Sequence, residues 1–312
     1  MEDLNKFSEV LFDRKKRKTL RQLLEAGPVF APTVWDCFSA QVVRRLGFQA
    51  MCLSGAEVAA SIAGLPDLGL VTFDELVGVV NHITDVNPLP MIVDIDTGFG
   101  NELNVMRTCE RIAKAGAMAV HLEDQTFPKR CGHIAGKEVI PRKDYISKIK
   151  AAAHAFKGTD CLLIARTDSY NILGKEEAIA RNLESLEAGA DIAFTEGIDS
   201  REAIQEIGER VPGWKMFGMS SKGASPKVSC KELNEWGYNL VTCHFAFAGA
   251  YRGMWEFGQK TLQDKSDVYA YDNDLLNGPM GAFELFNIHE WLGLAQEFNP
   301  DIKTASRFTS KD

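Results

Sequence analysis

The sequence predicts an α/β fold, specifically a (β/α)8 barrel, on three observations. Eight short apolar runs recur along it, helix-period segments separate them, and most of the runs end in a charged or hydroxyl residue. The runs are 28–36 (PVFAPTVWD), 50–55 (AMCLSG), 90–98 (PMIVDIDTG) and 119–125 (AVHLEDQ). Then come 161–169 (CLLIARTDS), 192–197 (IAFTEG), 215–220 (KMFGMS) and 240–245 (LVTCHF). Continuous apolar strands parted by helices imply a parallel sheet covered on both faces. An open doubly wound sheet would carry a glycine fingerprint after its first strand, and residues 36–42 (DCFSAQV) contain no glycine.

The helical segments support the same reading. Residues 104–117 and 175–190 both close on Ala-Gly-Ala, which puts a glycine where a helix C-terminus favours one. In the second, Ala178, Leu183, Leu186 and Ala190 fall on one face at roughly 3.6-residue spacing. A single domain over 1–312 is expected, with C-terminal helices from about residue 246. In 283–298 (FELFNIHEWLGLAQEF) the apolar residues cover more than one helical face, which suggests burial against another subunit.

Composition bounds the function. There are 43 acidic against 35 basic residues, a net charge of −8 that does not attract nucleic acid. The basic run 13–18 (DRKKRK) reads as a solvated helix face. Seven cysteines with no C-x-x-C pair support neither a disulfide framework nor a zinc knuckle, and suit reduced thiols. The charged first residues do not resemble a signal peptide, and no apolar run reaches about 18 residues. A soluble, cytoplasmic protein without membrane or nucleic-acid partners is expected.

The polar strand ends are Ser54, Asp94 and Asp96, Glu123 and Asp124, Arg166 and Asp168, Glu196, Ser220 and His244. One such residue is what any strand exit shows. Seven strands delivering carboxylates, an arginine and hydroxyls to one rim describe an active site. Asp94 and Asp96 stand two apart, so a strand turns both to one side, where they repel unless a cation lies between them. Few hard oxygen donors suit Mg2+, with Mn2+ an allowed substitute. Asp67 and Glu123 could join through water; alternatively Asp96 caps the Thr97-Gly98 turn. Arg166 at the mouth of a buried strand needs an anion, from Glu196 or from a substrate carboxylate.

The stretch 129–133 (KRCGH) places Cys131 between Arg130 and His133, with Gly132 and Gly136 giving the backbone freedom to fold over a ligand. Neighbouring cations are expected to lower the thiol pKa and make it a proton donor or nucleophile. His82, His121, His154 and His289 lack ligand spacing and read as packing or surface residues. A Schiff-base aldolase would need a lysine within the barrel, and the strands offer only Lys215, at the start of its run.

These residues resemble the isocitrate lyase and phosphoenolpyruvate mutase superfamily. The motifs 54–69, 94–100, 123–133, 165–169 and 195–197 stand in that family's order, over roughly residues 25 to 230. The resemblance implies a (β/α)8 barrel with an N-terminal helix, a C-terminal helix exchanged between subunits, a dimer-of-dimers homotetramer and Mg2+. It assigns Ser54, Gly55 and Ala56 to carboxylate capture and Asp94 and Asp96 to the metal, with Asp67 and Glu123 behind them. Cys131 and Gly132 would close over the substrate beside His133, Cys131 acting as catalytic acid, while Arg166 and Glu196 bind the substrate. Cys131 favours carbon–carbon over phosphorus–carbon cleavage.

The chain departs from the family pattern in places. Gly218 stands where an asparagine is usual and Ser221 where a glutamate is, while Ala248 and Ala282 replace two arginines of the methylisocitrate branch. Cys52 stands where some relatives carry tyrosine. A tricarboxylate is thereby disfavoured, and the expectation is a lyase for a malate derivative such as 2,3-dimethylmalate, giving pyruvate and propionate. Methylisocitrate lyase, oxaloacetate hydrolase and phosphonopyruvate-type chemistry are the alternatives, and a non-catalytic binding barrel is the reading outside enzymes.

Overall fold

The computed structural model describes residues 17–220, 223–276 and 278–302. The described residues fall into two compact units, the first ending at Phe247 and the second beginning at Ala248. Among the described residues no helix is long and apolar enough to cross a membrane.

The first unit is built on nine parallel strand segments: β1 (Val29–Phe30), β2 (Thr33–Val34), β3 (Met51–Leu53), β4 (Met91–Asp94) and β5 (Ala119–Glu123). They continue with β6 (Leu162–Thr167), β7 (Ile192–Thr195), β8 (Trp214–Met219) and β9 (Leu240–Cys243). Their order is β1-β9-β8-β7-β6-β5-β4-β3-β2. The first expected run is thus two pieces parted by Ala31 and Pro32, because proline has no N–H to continue a ladder. One piece pairs with β9 and the other with β3, so together they act as one stave and close the ring. Ala31 N–H donates to the Val241 carbonyl at 2.8 Å, and Cys52 N–H donates to the Pro32 carbonyl at 2.9 Å across that junction.

Helices α1 (Leu20–Ala26), α2 (Cys37–Arg45), α3 (Phe73–Val86), α4 (Glu102–Lys114) and α5 (Arg142–Ala155) alternate with the strands, followed by α6 (Lys175–Glu187), α7 (Arg201–Arg210) and α8 (Cys230–Glu235). Side chains at the N-termini settle several starts: Thr19 with Gln22, Asp36 with Ser39, Thr72 with Glu75 and Ser229 with Glu232 form capping boxes. The two Ala-Gly-Ala ends behave as expected, with Gly116 and Gly189 in the left-handed region at φ 102° and 110°. Beyond the first of these glycines, Ala117 N–H reaches back to the Ile112 carbonyl at 3.3 Å.

The expected apolar face of α6 holds at Ala178 and Ala190, with Leu186 partly buried against the core, and is corrected at Leu183, which is exposed; the buried face also carries Ile179, Arg181, Asn182 and Ser185. Burial of Arg181 is tolerated because its guanidinium meets Asp124 Oδ2 at 2.9 Å and the Ile140 carbonyl at 2.9 Å, while Asn182 donates to Thr195 Oγ1 at 2.6 Å. Periodicity in apolar residues cannot register a buried face made of satisfied polar groups.

Two apolar layers flank the strands. One lies between strands and outer helices, including Val80, Ile83, Val93, Val105, Ile112 and Ile149. The other fills the barrel interior, where Ile92, Ala119, Leu162, Ile192 and Leu240 pack with Leu20, Leu23 and Leu24 of α1.

In the second unit, α9 (Phe245–Asp264) begins in the barrel unit and is followed by α10 (Val268–Asp272), α11 (Pro279–Glu284) and α12 (Ile288–Phe298). Tyr251, Trp255, Tyr271, Trp291 and Phe298 are exposed. Of the expectations on the termini, residues 13–16 of the basic run lie outside the described residues, as does Ser221.

Candidate active site

Strand alternation builds the site. Inward residues two apart run Ile92 to Asp94, Ala119 to His121 to Glu123, Ile164 to Arg166 to Asp168, and Phe194 to Glu196, so each stave turns polar as it reaches the C-terminal rim. The resulting cavity is lined by Cys52, Ser54, Ala56, Asp67 and Asp94, by the lid residues Cys131, Gly132 and His133, and by Arg166, Phe194 and Glu196. Thr33, His121, Met216, Gly218, Thr242 and His244 complete the wall.

Asp94 ends β4, but Asp96 lies beyond the strand with φ 49°, so a left-handed turn and not strand alternation brings it back. It does not cap the Thr97-Gly98 turn; Gly98 N–H bonds to the Ile95 carbonyl instead. Both carboxylates border Gly55, where an added Cβ would stand 3.1 Å from Asp94 Oδ2 and 3.3 Å from Asp96 Oδ1. Burial opposes ionisation of Asp94, yet His121, Lys129 and Arg166 hold it down at about 2. Burial pushes Asp96 up to about 6 against the pull of Lys129.

Lys129, read from sequence only as one of two loop cations, is the buried one. Its Nζ lies 2.9 Å from Asp96 Oδ1 and also pairs with Asp67. Burial works against its charge, but Asp96, Glu123, Asp94 and Asp67 hold it protonated above the ordinary lysine value. Arg130 faces solvent and ties the loop only through its backbone, donating to Gln125 Oε1 at 3.0 Å and accepting from Gln125 Nε2 at 2.8 Å.

The donor set fits a hard divalent cation. Glu123 Oε1 is buried without a partner among the described residues, Asp96 Oδ1 meets only the Lys129 ammonium, and Gly55 leaves room that a side chain would fill. Among the described residues no three His, Cys, Asp or Glu side chains converge as ligands. The protein would therefore contribute the aspartate pair, leaving other positions to water and substrate, the habit of Mg2+.

Arg166 pairs with the expected Glu196 only at the long end, and two closer carboxylates anchor it. Glu196 Oε2 stands 3.9 Å from Nη2, whereas Asp168 Oδ2 lies 2.9 Å from Nε, and Glu123 Oε2 is 3.4 Å from Nη2. Asp168 wins because it sits two residues on along the same stave. Glu196 Oε1 instead faces His133 Nε2 at 3.4 Å and accepts Gly197 N–H at 3.0 Å.

The lid leaves β5 through a short antiparallel stem: Gln125 bridges Val139, and Thr126 N–H bonds to the Glu138 carbonyl at 2.8 Å. Its tip is docked by Cys131 N–H to the Asp67 carbonyl at 3.2 Å and by Lys137, whose ammonium holds the Gly132 carbonyl at 2.6 Å and Asp168 at 2.9 Å. A Cβ on Gly132 would stand 2.6 Å from Glu196 Cγ and 2.7 Å from Arg166 Nη2, so only glycine lets the tip come this close. His133 Nδ1 accepts Ala224 N–H at 3.3 Å.

The expected lowering of the Cys131 pKa is corrected. Burial pushes the thiol above its ordinary value, and the nearby cations Arg166 and Lys129 do not offset that. A thiol held protonated in the cavity suits a proton donor, not a resting nucleophile. Ser54 lines the wall and also caps the short helix Gly55–Val58 by accepting Glu57 N–H at 3.3 Å. Lys215 is at the other end of its strand, donating to the Val211 and Gly213 carbonyls at 2.9 and 2.8 Å, and the lysines at the rim, Lys129 and Lys137, are taken up in ion pairs with Asp96 and Asp168, which disfavours a Schiff base.

Sequence reasoning missed His121, which is buried with Nδ1 3.3 Å from Asp94 Oδ1; burial pulls its pKa down. Its place two residues before Glu123 on one strand was the available signal. It also missed Lys137 and Glu57; His244, expected as a polar strand end on the rim, meets that glutamate on the far wall, with Nδ1 2.8 Å from Glu57 Oε1.

Comparison with known proteins bears on this geometry. A family model described as Phosphoenolpyruvate phosphomutase matches residues 20–258. The chain is 41% identical over 223 residues to 2,3-dimethylmalate lyase of Eubacterium barkeri, covering 71% of this chain and 77% of the relative. It is 42% identical over 223 residues to 2-methylisocitrate lyase of Aeropyrum pernix, covering 71% of each. A crystal structure of a 2,3-dimethylmalate lyase superposes with a TM-score of 0.84 at 35% identity, over 90% of this chain and 94% of that one. A phosphonopyruvate hydrolase solved with oxalate and Mg2+ superposes at 0.78 with 26% identity, over 90% and 97%. The chain belongs to the phosphoenolpyruvate mutase/isocitrate lyase superfamily and is a carbon–carbon lyase within it.

Proposed function

We propose that the protein cleaves the C2–C3 bond of a 2-hydroxy dicarboxylate, a malate bearing alkyl groups such as 2,3-dimethylmalate, to an oxo acid and a carboxylate. The observation that carries this reading is the presence of Cys131, held protonated by burial, in one cavity with Asp94 and Arg166. Phe194 and Met216 give that cavity an apolar wall for alkyl substituents. The name of the Eubacterium barkeri relative supports the choice of substrate.

Asp94 and Asp96 are the residues that would hold Mg2+, which supplies a Lewis acid that makes a coordinated hydroxyl more acidic. The Ser54 hydroxyl and the backbone at Gly55 and Ala56 would orient the oxo-acid half of the substrate. Loss of the hydroxyl proton lets the C2 oxygen become a ketone as the C2–C3 electron pair passes to the other half, a carboxylate enolate. Arg166 balances the charge that develops there, Glu196 and His133 fix the lid above it, and Gly132 closes against water. Cys131 then delivers its proton to the enolate carbon. Where the superfamily pattern has asparagine, Gly218 contributes only backbone to the wall.

The experiment is a panel of malate, citramalate, 2,3-dimethylmalate, isocitrate, methylisocitrate, oxaloacetate and phosphonopyruvate. Pyruvate, glyoxylate, oxalate and phosphate are assayed with and without Mg2+. Pyruvate from the dialkyl malate with Mg2+ is expected, and Cys131→Ser should abolish it while oxalate with Mg2+ still raises Tm. Normal turnover by Cys131→Ser removes the proposed acid. For the assembly, we take the exposed aromatics Tyr251, Trp255 and Trp291 as covered by a second copy in a homotetramer with exchanged C-terminal helices. A monomeric mass by light scattering would refute that.

A further inference from the structure

The proposed cleavage needs a group to accept the hydroxyl proton, and no residue has yet been given that task. The cavity has three histidines in its lining. His121 lies against Asp94, and burial pulls its pKa down. His133 has both nitrogens engaged, Nδ1 by Ala224 N–H and Nε2 by Glu196. His244 differs. Its Nδ1 is 2.8 Å from Glu57 Oε1, and that same oxygen accepts the Thr33 hydroxyl at 2.7 Å.

Glu57 comes from the short helix that follows β3, His244 comes directly after β9, and Thr33 comes from β2, so three staves bring this group together. Glu57 is only 3% exposed and its second oxygen, Oε2, has no hydrogen-bond partner among the described residues. A buried carboxylate left without a partner is strongly unfavourable, so its contact with the imidazole constrains the ring. With Nδ1–H donated to Glu57, the other ring nitrogen is left as an acceptor at a wall shared with Cys52, Ser54 and Asp94.

We infer that His244, oriented by Glu57, is the base that takes the substrate's hydroxyl proton; this assignment rests on the lyase reading above. The proton passes from the C2 hydroxyl to His244 Nε2, and the O–H pair becomes the new C=O bond. The C2–C3 pair passes to the enolate, and the Cys131 thiol proton ends on its carbon. Solvent then carries the imidazolium proton away and reprotonates the thiolate, so each turnover conserves protons and involves no redox change. His244 is the catalytic residue here, and Glu57 is a positioning residue.

The test compares wild type with His244→Ala, His244→Asn, Glu57→Gln and Glu57→Asp on the diacid panel. The rise in Tm with oxalate and Mg2+ monitors folding and binding. Both His244 variants should lose about 100-fold or more in kcat with KM and the Tm rise retained. Added imidazole should return part of the His244→Ala rate, which a packing role would not allow. Glu57→Gln should lower kcat by about tenfold at unchanged KM, with Glu57→Asp recovering much of it. His244 variants within about threefold of wild-type kcat, or a loss confined to KM, overturn the assignment. Failure of imidazole to rescue a folded His244→Ala that binds oxalate does so too. If His244→Ala does not fold, His244→Asn and the Glu57 pair decide the matter by the same criteria. Wild type inactive on every diacid sinks the lyase reading and this assignment with it, whereas an active wild type with full-speed His244 variants sinks only the assignment.

Discussion

The two ends of the barrel are made by the same strands and differ by one inward step along each. Ile92, Ala119, Ile164 and Leu240 lie below Asp94, His121, Arg166 and Thr242 respectively. The lower level is sealed by Leu20, Leu23 and Leu24 of α1 and stabilises the fold by removing apolar surface from water. The upper level buries Asp94, Asp96, Glu123, Arg166 and Asp168, a crowding whose desolvation offsets most of the attraction it gains. One end therefore holds the barrel together, and the other is tolerated because of what it does.

The largest break in this comparison should come from Arg166→Met. It would leave Glu123, Asp168 and Glu196 without their guanidinium, a loss of about 3–5 kcal/mol at neutral pH together with activity. In the wild type, burial opposes ionisation of Asp168, but Arg166 and Lys137 outweigh it and hold the pKa below its ordinary value. That contribution is present above the unfolded carboxylate pKa and is lost as pH falls through the lower folded one. In the variant the stranded carboxyls bind protons more readily than the unfolded chain does, so the deficit in urea midpoint should shrink on acidification. An unchanged deficit from neutral to acid pH would count against charge as its cause.

Leu162→Ala acts at the apolar end. Leu162 is fully buried, and its truncation should lower stability by about 2–5 kcal/mol in a denaturant titration. Because the rim stands on the upper residues of the same strand, kcat of the folded variant should stay near wild type at low temperature. Loss of kcat without loss of stability would mean the two levels are not separable.

A smaller effect belongs to the loop carrying Cys131, which is polar and docks on the rim through Lys137 and Asp67. Gly132→Ala places a methyl against Glu196 and Arg166 at contacts that no real Cβ makes, so the closed lid should be disfavoured. About 1–3 kcal/mol should appear in kcat/KM, with Tm nearly unchanged, since the loop adds little to the core. A wild-type rate would show that closure this tight is not part of turnover.

The fold was legible because strand and helix periods alternate so regularly, and the rim because apolar runs end in ionisable residues on strand after strand. The limits are equally physical. Periodicity could not show that Pro32 splits the first stave, or that α6 buries Arg181, Asn182 and Ser185 on polar partners. Spacing brought Asp94 and Asp96 together for an incomplete reason, since a left-handed turn places the second. The partners of Lys129 and His244 could not be read because each meets its carboxylate across a long sequence separation, 62 residues for Lys129 and Asp67 and 187 for His244 and Glu57. The sign of the Cys131 shift was misjudged because counting nearby cations omits desolvation, which dominates in a closed cavity.

The smallest expected effect lies outside both levels, at the start of α8. Ser229 accepts Glu232 N–H at 3.3 Å, and Glu232 Oε2 accepts the Ser229 hydroxyl at 2.7 Å and its N–H at 2.8 Å. The Ser229 hydroxyl and N–H, with Arg201, hold Glu232 at about 2, below the ordinary 4.5. A depressed carboxylate stabilises the folded state above its unfolded pKa and ceases to do so as pH falls through the folded one. Ser229→Ala should therefore lower Tm by only a few degrees near neutrality, and the gap to wild type should narrow as pH falls from about 4.5 to about 2. Activity should not move, because this cap touches neither the apolar end of the barrel nor its charged rim. A widening gap in acid would mean that the serine acts through something other than its acidic partner.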